Sequence, residues 1–430
     1  MKRVPLNISI LMGMMILYAL STLVSTAVMS VGFGVLVLAF LFTPRFTDRM
    51  KEIWQTPLTK QYFLITSTLI GVLLFSTVVA LLRDPPLYDH ALDVNFFQEC
   101  KKLVYLFTPL MVFSVFNHSP PKAPWNVLRL YWYFLGFLVV IGVIQFFTGW
   151  PRAQGLPYGN FAAVLFMGLS LSVSSVLSLA LFPVFSYWLS SVKISNKATS
   201  SDRFFSPALA GAISLGLCVV VFLTFSRMSW ITLPIGVLVL LLASLGRRFF
   251  YTAMIVIALV LGGTFFSSQS FRARVMSKGG YVDRIELWKG HLQLFTDHPV
   301  LGVGFRQNSK LAETVVRETH KKNNQPVPPE FFGSHAHNNM IEVLAGAGSF
   351  GFLAFLMWNL WVIQMLWRGC KSSIHGWWFL GGLIGFLVFH LNGLTQVNFW
   401  DSKVLHTLMF FLGVSIYLSI QGNAHARKRI

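Results

Sequence analysis

The chain has 430 residues, of which 55% are hydrophobic and only 11% charged, whereas soluble domains carry about 25% charged residues. That balance excludes an ordinary soluble domain and points to a polytopic membrane protein. A formal net charge of +19 would suggest a nucleic-acid partner in a soluble protein; here basic cytoplasmic loops and anionic lipid head groups account for it, so membrane lipids are expected as partners and nucleic acid is not.

The N-terminal stretch after Lys2 and Arg3 begins like a signal peptide, but its apolar run is too long and a second run follows at once, which predicts an uncleaved first helix. Runs long enough to approach or cross a ~30 Å hydrocarbon core recur at roughly 7–26, 28–43, 62–82, 102–117, 128–148, 160–182, 207–225, 229–245, 249–267, 344–367, 377–395 and 403–421. Between them, Arg45, Arg49, Lys51, Lys60, Lys122, Lys193, Lys197, Arg203, Arg247, Arg248, Arg368 and Lys371 fall on one side together with both termini. The acidic connection 83–101, with Asp84, Asp89, Asp93 and Glu99, falls on the other. Because positive charge prefers the cytoplasm, this predicts an all-α protein of about twelve spans, a single transmembrane domain over 1–430 with both ends cytoplasmic. Cys100, Cys218 and Cys370 are too few and scattered for a disulfide framework.

The long segment 268–343, between spans nine and ten, is then external, periplasmic in a double-membrane bacterium. Nucleoside triphosphates and sugar nucleotides are absent there, and no G-x-x-x-x-G-K phosphate loop occurs in the chain. An enzyme acting on that side needs a donor that arrives already activated on a lipid.

Within short external turns, Arg227 (in FSRMSW) reads either as a snorkelling helix-end arginine or as a phosphate ligand, and Arg152 (in GWPRAQG) is a weaker candidate of the same kind. His390 and Asn392, inside a span, read as groups satisfied by neighbouring helices. In the external segment, Asp283 and Glu286 form a capping-box pattern at the start of a helix that His298-Pro299 ends. Ile285, Trp288, Leu292 and Phe295 give that helix an apolar face, suited equally to the membrane surface or to packing. Arg284 lies in its first turn, where unpaired N–H groups and the helix dipole already favour an anion, so the position suits a diphosphate.

The other half is SHAHNN, 334–339. His335 and His337 have chelating spacing, but a zinc site needs further protein ligands and no cysteine is near, so no metal or other cofactor is expected. A neutral His337 at a helix start suits a general base that takes the proton of a sugar hydroxyl. Asn338 can orient that imidazole or bind a hydroxyl. Gly346, Gly348 and Gly351 permit close packing by helices or by a glycan.

His337-Asn338, followed by nine residues and then Gly348-x-x-Gly351, resembles the signature of bacterial O-antigen ligases, which share a superfamily with O-antigen polymerases and protein O-oligosaccharyltransferases. The resemblance covers most of the chain in layout and about 70 residues in motif. It implies a GT-C-like membrane glycosyltransferase architecture. It further implies a metal-independent, inverting transfer of O-antigen from undecaprenyl diphosphate to lipid A–core oligosaccharide at the periplasmic face of the inner membrane. Carried onto this chain, His337 becomes the base, Arg284 a diphosphate ligand and Arg227 a second one. The sister reactions differ only in acceptor; the short tail after the last run disfavours a protein acceptor. A lipid-glycan transporter would instead concentrate its cations within the spans near the midplane, where this chain has few.

Overall fold

A computed structural model describes residues 8–42, 46–82, 96–156, 159–194, 204–277, 282–324, 326 and 335–427. Among these the regular structure is all helical, apart from one isolated bridge between Gly155 and Phe161.

The first part comprises α1 (Ile8–Ser21), α2 (Thr26–Phe42), α3 (Phe46–Gln55), α4 (Pro57–Leu81), α5 (Phe96–Val104), α6 (Thr108–Asn117) and α7 (Ala123–Thr148). Then come α8 (Ser170–Ile194), α9 (Pro207–Leu223), α10 (Ser229–Leu245), α11 (Arg247–Ser267), α12 (Gln269–Met276), α13 (Val282–Asp297) and α14 (Asn308–Lys322). The chain closes with α15 (Asn339–Ser372), α16 (Gly376–Asn392) and α17 (Ser402–Arg427).

Six helices, α4, α7, α8, α11, α15 and α17, are long and apolar enough to cross a membrane unaided; α1, α9, α10 and α16 are apolar but shorter. The class expectation of a polytopic helical membrane protein therefore stands on these six. A membrane is also what α11 demands. No residue of it is buried by protein, and Ile255, Leu259, Val260 and Phe266 project at 58%, 69%, 56% and 78% exposure. A long helix that leaves this much apolar surface exposed is at home in lipid.

Two expected spans and one expected connection change form. The run 102–117 is broken into α5, a 3-10 turn at Tyr105–Phe107, and α6, where Pro109 sits in the first turn of α6 and supplies no N–H. The run 160–182 becomes helical only at Ser170. Before it, the backbone bonds elsewhere: Phe161 N–H donates to the Phe146 carbonyl (3.1 Å), Ala162 to Gln154 (2.9 Å) and Ala163 to Leu223 (2.9 Å). Finally, the basic connection after α2 forms the amphipathic α3, whose Arg49 is buried and donates to the Phe40 carbonyl.

The main apolar core runs through helices from α1 to α17, with α8 and α17 the most enclosed of the long ones. At one end of this bundle, α13 and α14 form a hairpin with a smaller core of its own: Leu294, Val303, Leu311, Ala312, Val315 and Ala345. Gly290 lets the two helices of the hairpin meet, since a Cβ there would lie 2.6 Å from Val316 and 2.9 Å from the Ala312 carbonyl oxygen.

The joint between hairpin and bundle lies within α15. Gly348 interrupts that helix with φ 62° and ψ −164°, a conformation essentially reserved for glycine, and its Cα faces the backbone of Val300 and Leu301. Gly302 (φ 65°) fits against Ala345, Gly346 and Ala347 from the other side. The peptide groups freed by the kink are taken up by the loop: Ser349 N–H donates to Pro299 (2.8 Å), Phe350 to Val300 (3.2 Å) and Val303 to Ala345 (3.1 Å). The motif glycine Gly348 thus serves backbone docking, as does Gly346; Gly351 packs against Ala347 and Leu73.

Candidate functional site

The segment 335–339 is fixed from four directions around the first turn of α15. Asn338 caps the helix, its Oδ1 accepting from Met340 (2.9 Å) and Ile341 (3.2 Å), while its Nδ2 donates to the Leu394 carbonyl (3.1 Å). Asn338 thus holds the helix start. Asn339 bonds Asn398 (2.6 Å), anchoring the same turn to the segment before α17. Ala336 is gripped at both backbone atoms: its N–H donates to Glu342 Oε2 (2.8 Å) and its carbonyl accepts from Trp288 Nε1 (2.7 Å). These restraints hold His337 at φ 48°, a left-handed conformation costly for a residue with a Cβ.

Glu342 is buried and serves as the hub. Besides Ala336 it accepts from Arg306 Nη1 (3.1 Å) and Ser309 Oγ (3.2 Å). Arg306 also pairs with Glu99 (3.2 Å), which binds Lys102 (2.7 Å), so α5, the loop and α15 share one charge network. Sequence reading passed over Glu342 and the anchoring role of Trp288. The available signal was a lone acid in the first turn of a hydrophobic helix, which is costly unless it is paired.

His337 and His335 lie with ring centroids 5.2 Å apart. Burial, followed by the neighbouring His335 and Arg284, pushes the His337 imidazole down to about 4. Burial and then Arg306 lower His335 as well. At neutral pH the His337 imidazole is therefore neutral and can accept a proton. Among the described residues, no group of three His, Cys, Asp or Glu side chains is placed to hold a metal ion.

Arg284 occupies the first turn of α13, as expected; the capping side chain of Asp283 lies outside the described residues. Arg284 lies near enough to His337 for its charge to lower the imidazole. Burial first, then Arg227 and Arg274, lower the Arg284 guanidinium below its usual range. Arg227 lies in the turn between α9 and α10, with Nη1 donating to the Ser277 carbonyl (2.7 Å). Arg274, on α12, was not singled out in the sequence. Arg152 lies elsewhere, against Gly168 in the irregular segment before α8, and is not among the charges acting on Arg284 or His337.

The apolar face of α13 is also corrected. Leu287, Gly290, His291 and Leu294 are the buried positions, while Leu292 is 41% exposed. The helix packs against α14 and α15, and Glu286 binds Lys289 (2.7 Å) and His320 (3.2 Å) on its flank.

The fold and site together define a polytopic helical membrane protein with a neutral imidazole and a cluster of guanidiniums gathered at one end of its bundle. Residues 212–356, which contain every one of these groups, match the model of the O-antigen ligase family. The family is associated with glycan-transferring ligase and polymerase activities. No curated protein matches the chain.

Proposed function

We propose that the protein is an O-antigen ligase, transferring O-antigen from undecaprenyl diphosphate to a hydroxyl of lipid A–core oligosaccharide at the periplasmic face of the inner membrane. The observation that supports this reading is that the Arg284 charge acts on His337 and the Arg227 charge acts on Arg284, the three residues coming from separate stretches of chain.

The acceptor hydroxyl attacks the anomeric carbon of the donor sugar while His337 takes its proton. The bond from that carbon to the diphosphate oxygen breaks, the electron pair leaves with undecaprenyl diphosphate, and the configuration inverts. Arg284 and Arg227 absorb the charge that develops on the leaving oxygens, so no general acid is required. The electrostatics are ordered in time: before the donor binds, Arg284 helps keep His337 neutral. A bound diphosphate offsets that cationic field and makes the imidazole a stronger base as the acceptor arrives.

The twelve-span topology, with both termini cytoplasmic and the site outside, belongs to the same proposal. It accounts for the one-sided basic loops and for the need for a lipid-linked donor. Transfer is measured with purified protein, lipid-linked glycan and lipid A–core, with and without chelator. Loss of the protein in cells should leave bare core on a lipopolysaccharide gel; core bearing a single repeat would indicate a polymerase instead.

A further inference from the structure

Arg274 takes no part in the scheme above, yet its setting is built as carefully as that of Arg227. α12 is capped by Ser268, whose Oγ accepts from Phe271 N–H (3.2 Å). Phe271, 5% exposed, seats the helix in an aromatic cluster, with ring centroids 4.2 Å from Trp230 and 5.4 Å from Phe222. Residues three apart share a helix face, so the seating of Phe271 also aims Arg274 at the turn between α9 and α10. There Arg274 Nε donates to the Phe225 carbonyl (3.3 Å). Phe225 is itself in a left-handed conformation, φ 55°, two residues before Arg227. Arg227 returns the tie by donating to Ser277, just beyond α12 (2.7 Å). Two arginine-to-carbonyl bonds, one in each direction, hold turn and helix together.

The result is three guanidiniums from three elements, near enough for their charges to act on one another. The charges acting on Arg284 are Arg227 and Arg274, and that acting on Arg274 is Arg227. Bringing like charges together costs free energy, and a bound anion offsets that cost.

We propose that Arg274 is a third guanidinium ligand of the donor diphosphate, matched to the leaving group rather than to the intact donor. A glycosyl lipid diphosphate carries two negative charges, and the departing lipid diphosphate gains a third. Two arginines balance the first state and three balance the second, so Arg274 acts on the charge that appears as the bond breaks. This assignment rests on the reading of Arg227 and Arg284 as diphosphate ligands.

The test compares Arg274→Gln and Arg274→Lys with the unaltered protein. Gln keeps an N–H donor for the Phe225 carbonyl and loses the charge; Lys keeps the charge and loses the planar fork. Binding of undecaprenyl diphosphate and of undecaprenyl phosphate is measured in detergent, together with kcat and donor KM. Expected for Arg274→Gln are a tenfold or greater loss of undecaprenyl diphosphate affinity, a much smaller loss for undecaprenyl phosphate, and a fall in kcat exceeding the rise in KM. Arg274→Lys should fall between. Wild-type diphosphate affinity and kcat in Arg274→Gln, beside a clear loss in Arg284→Gln, would overturn the proposal and leave the functional reading intact. Undiminished diphosphate binding in Arg227→Gln and Arg284→Gln as well would overturn both. If Arg274→Gln does not fold, Arg274→Lys decides: a several-fold loss upholds the role, and wild-type values overturn it.

Discussion

His337 has to be neutral before the donor binds and basic afterwards, and its surroundings serve both states. Burial and the cation at Arg284 hold the free imidazole near 4, so in the pH profile of kcat/KM the acidic limb should lie near that value. The sign follows: activity is full well above it and falls as pH drops through it. With the diphosphate bound, the corresponding limb in kcat should move upward; identical limbs in both profiles would remove the coupling between donor and base. His337→Ala should lower transfer by about 10²–10⁴-fold while undecaprenyl diphosphate still binds. Trp288→Phe removes the donor to the Ala336 carbonyl and should reduce kcat with little change in donor KM, because it loosens the base without touching the diphosphate. His291 gives a separate readout. It is fully buried, and neither ring nitrogen has a hydrogen-bond partner among the described residues. Burial lowers it from 6.5 to about 4. Since the unfolded chain then binds the proton first, stability should decline as pH falls from 6.5 towards 4, and less steeply in His291→Leu by urea unfolding.

At the scale of elements, the kink in α15 decides where the polar end meets the bundle. Gly348→Ala places a Cβ against the Val300 carbonyl in a conformation that side chains avoid. The backbone strain alone costs about 1–3 kcal/mol, so the variant should unfold at lower temperature and lose activity, though Gly348 touches no reacting group. Much of this level was legible in the sequence. The apolar runs fall on apolar helices, α13 ends where His298-Pro299 requires, and Arg284 lies in its first turn. The misreadings have local physical causes. The buried face of α13 includes a glycine and a histidine, Gly290 and His291, neither of which carries an apolar signal, so its phase was read one position away. Arg274 sits in a short polar helix whose only apolar anchor, Phe271, gains meaning through Trp230 and Phe222 in other helices.

At the scale of the whole molecule, sequence patterning carries the class and the sidedness of charge, whereas the assembly of cations is a product of tertiary packing. Arg227, Arg274 and Arg284 belong to a turn, a helix and a helix start, and no spacing announces that they converge. The bare surface of α11 supplies the complementary whole-molecule evidence that lipid surrounds the bundle. In a background without Cys100, Cys218 and Cys370, a cysteine at exposed Lys289 should react with a membrane-impermeant maleimide applied from the periplasm. One at exposed Arg247 should react only after the inner membrane is opened; the reverse pattern would invert the proposed topology. The central claim, that a neutral imidazole and a guanidinium pair move a glycan off a lipid diphosphate, is tested most directly by reconstitution. Purified protein with undecaprenyl-diphosphate-linked glycan and lipid A–core should yield capped core at a rate unaffected by chelator, with His337→Ala and Arg284→Gln nearly inactive. Wild-type capping by folded His337→Ala would contradict the account.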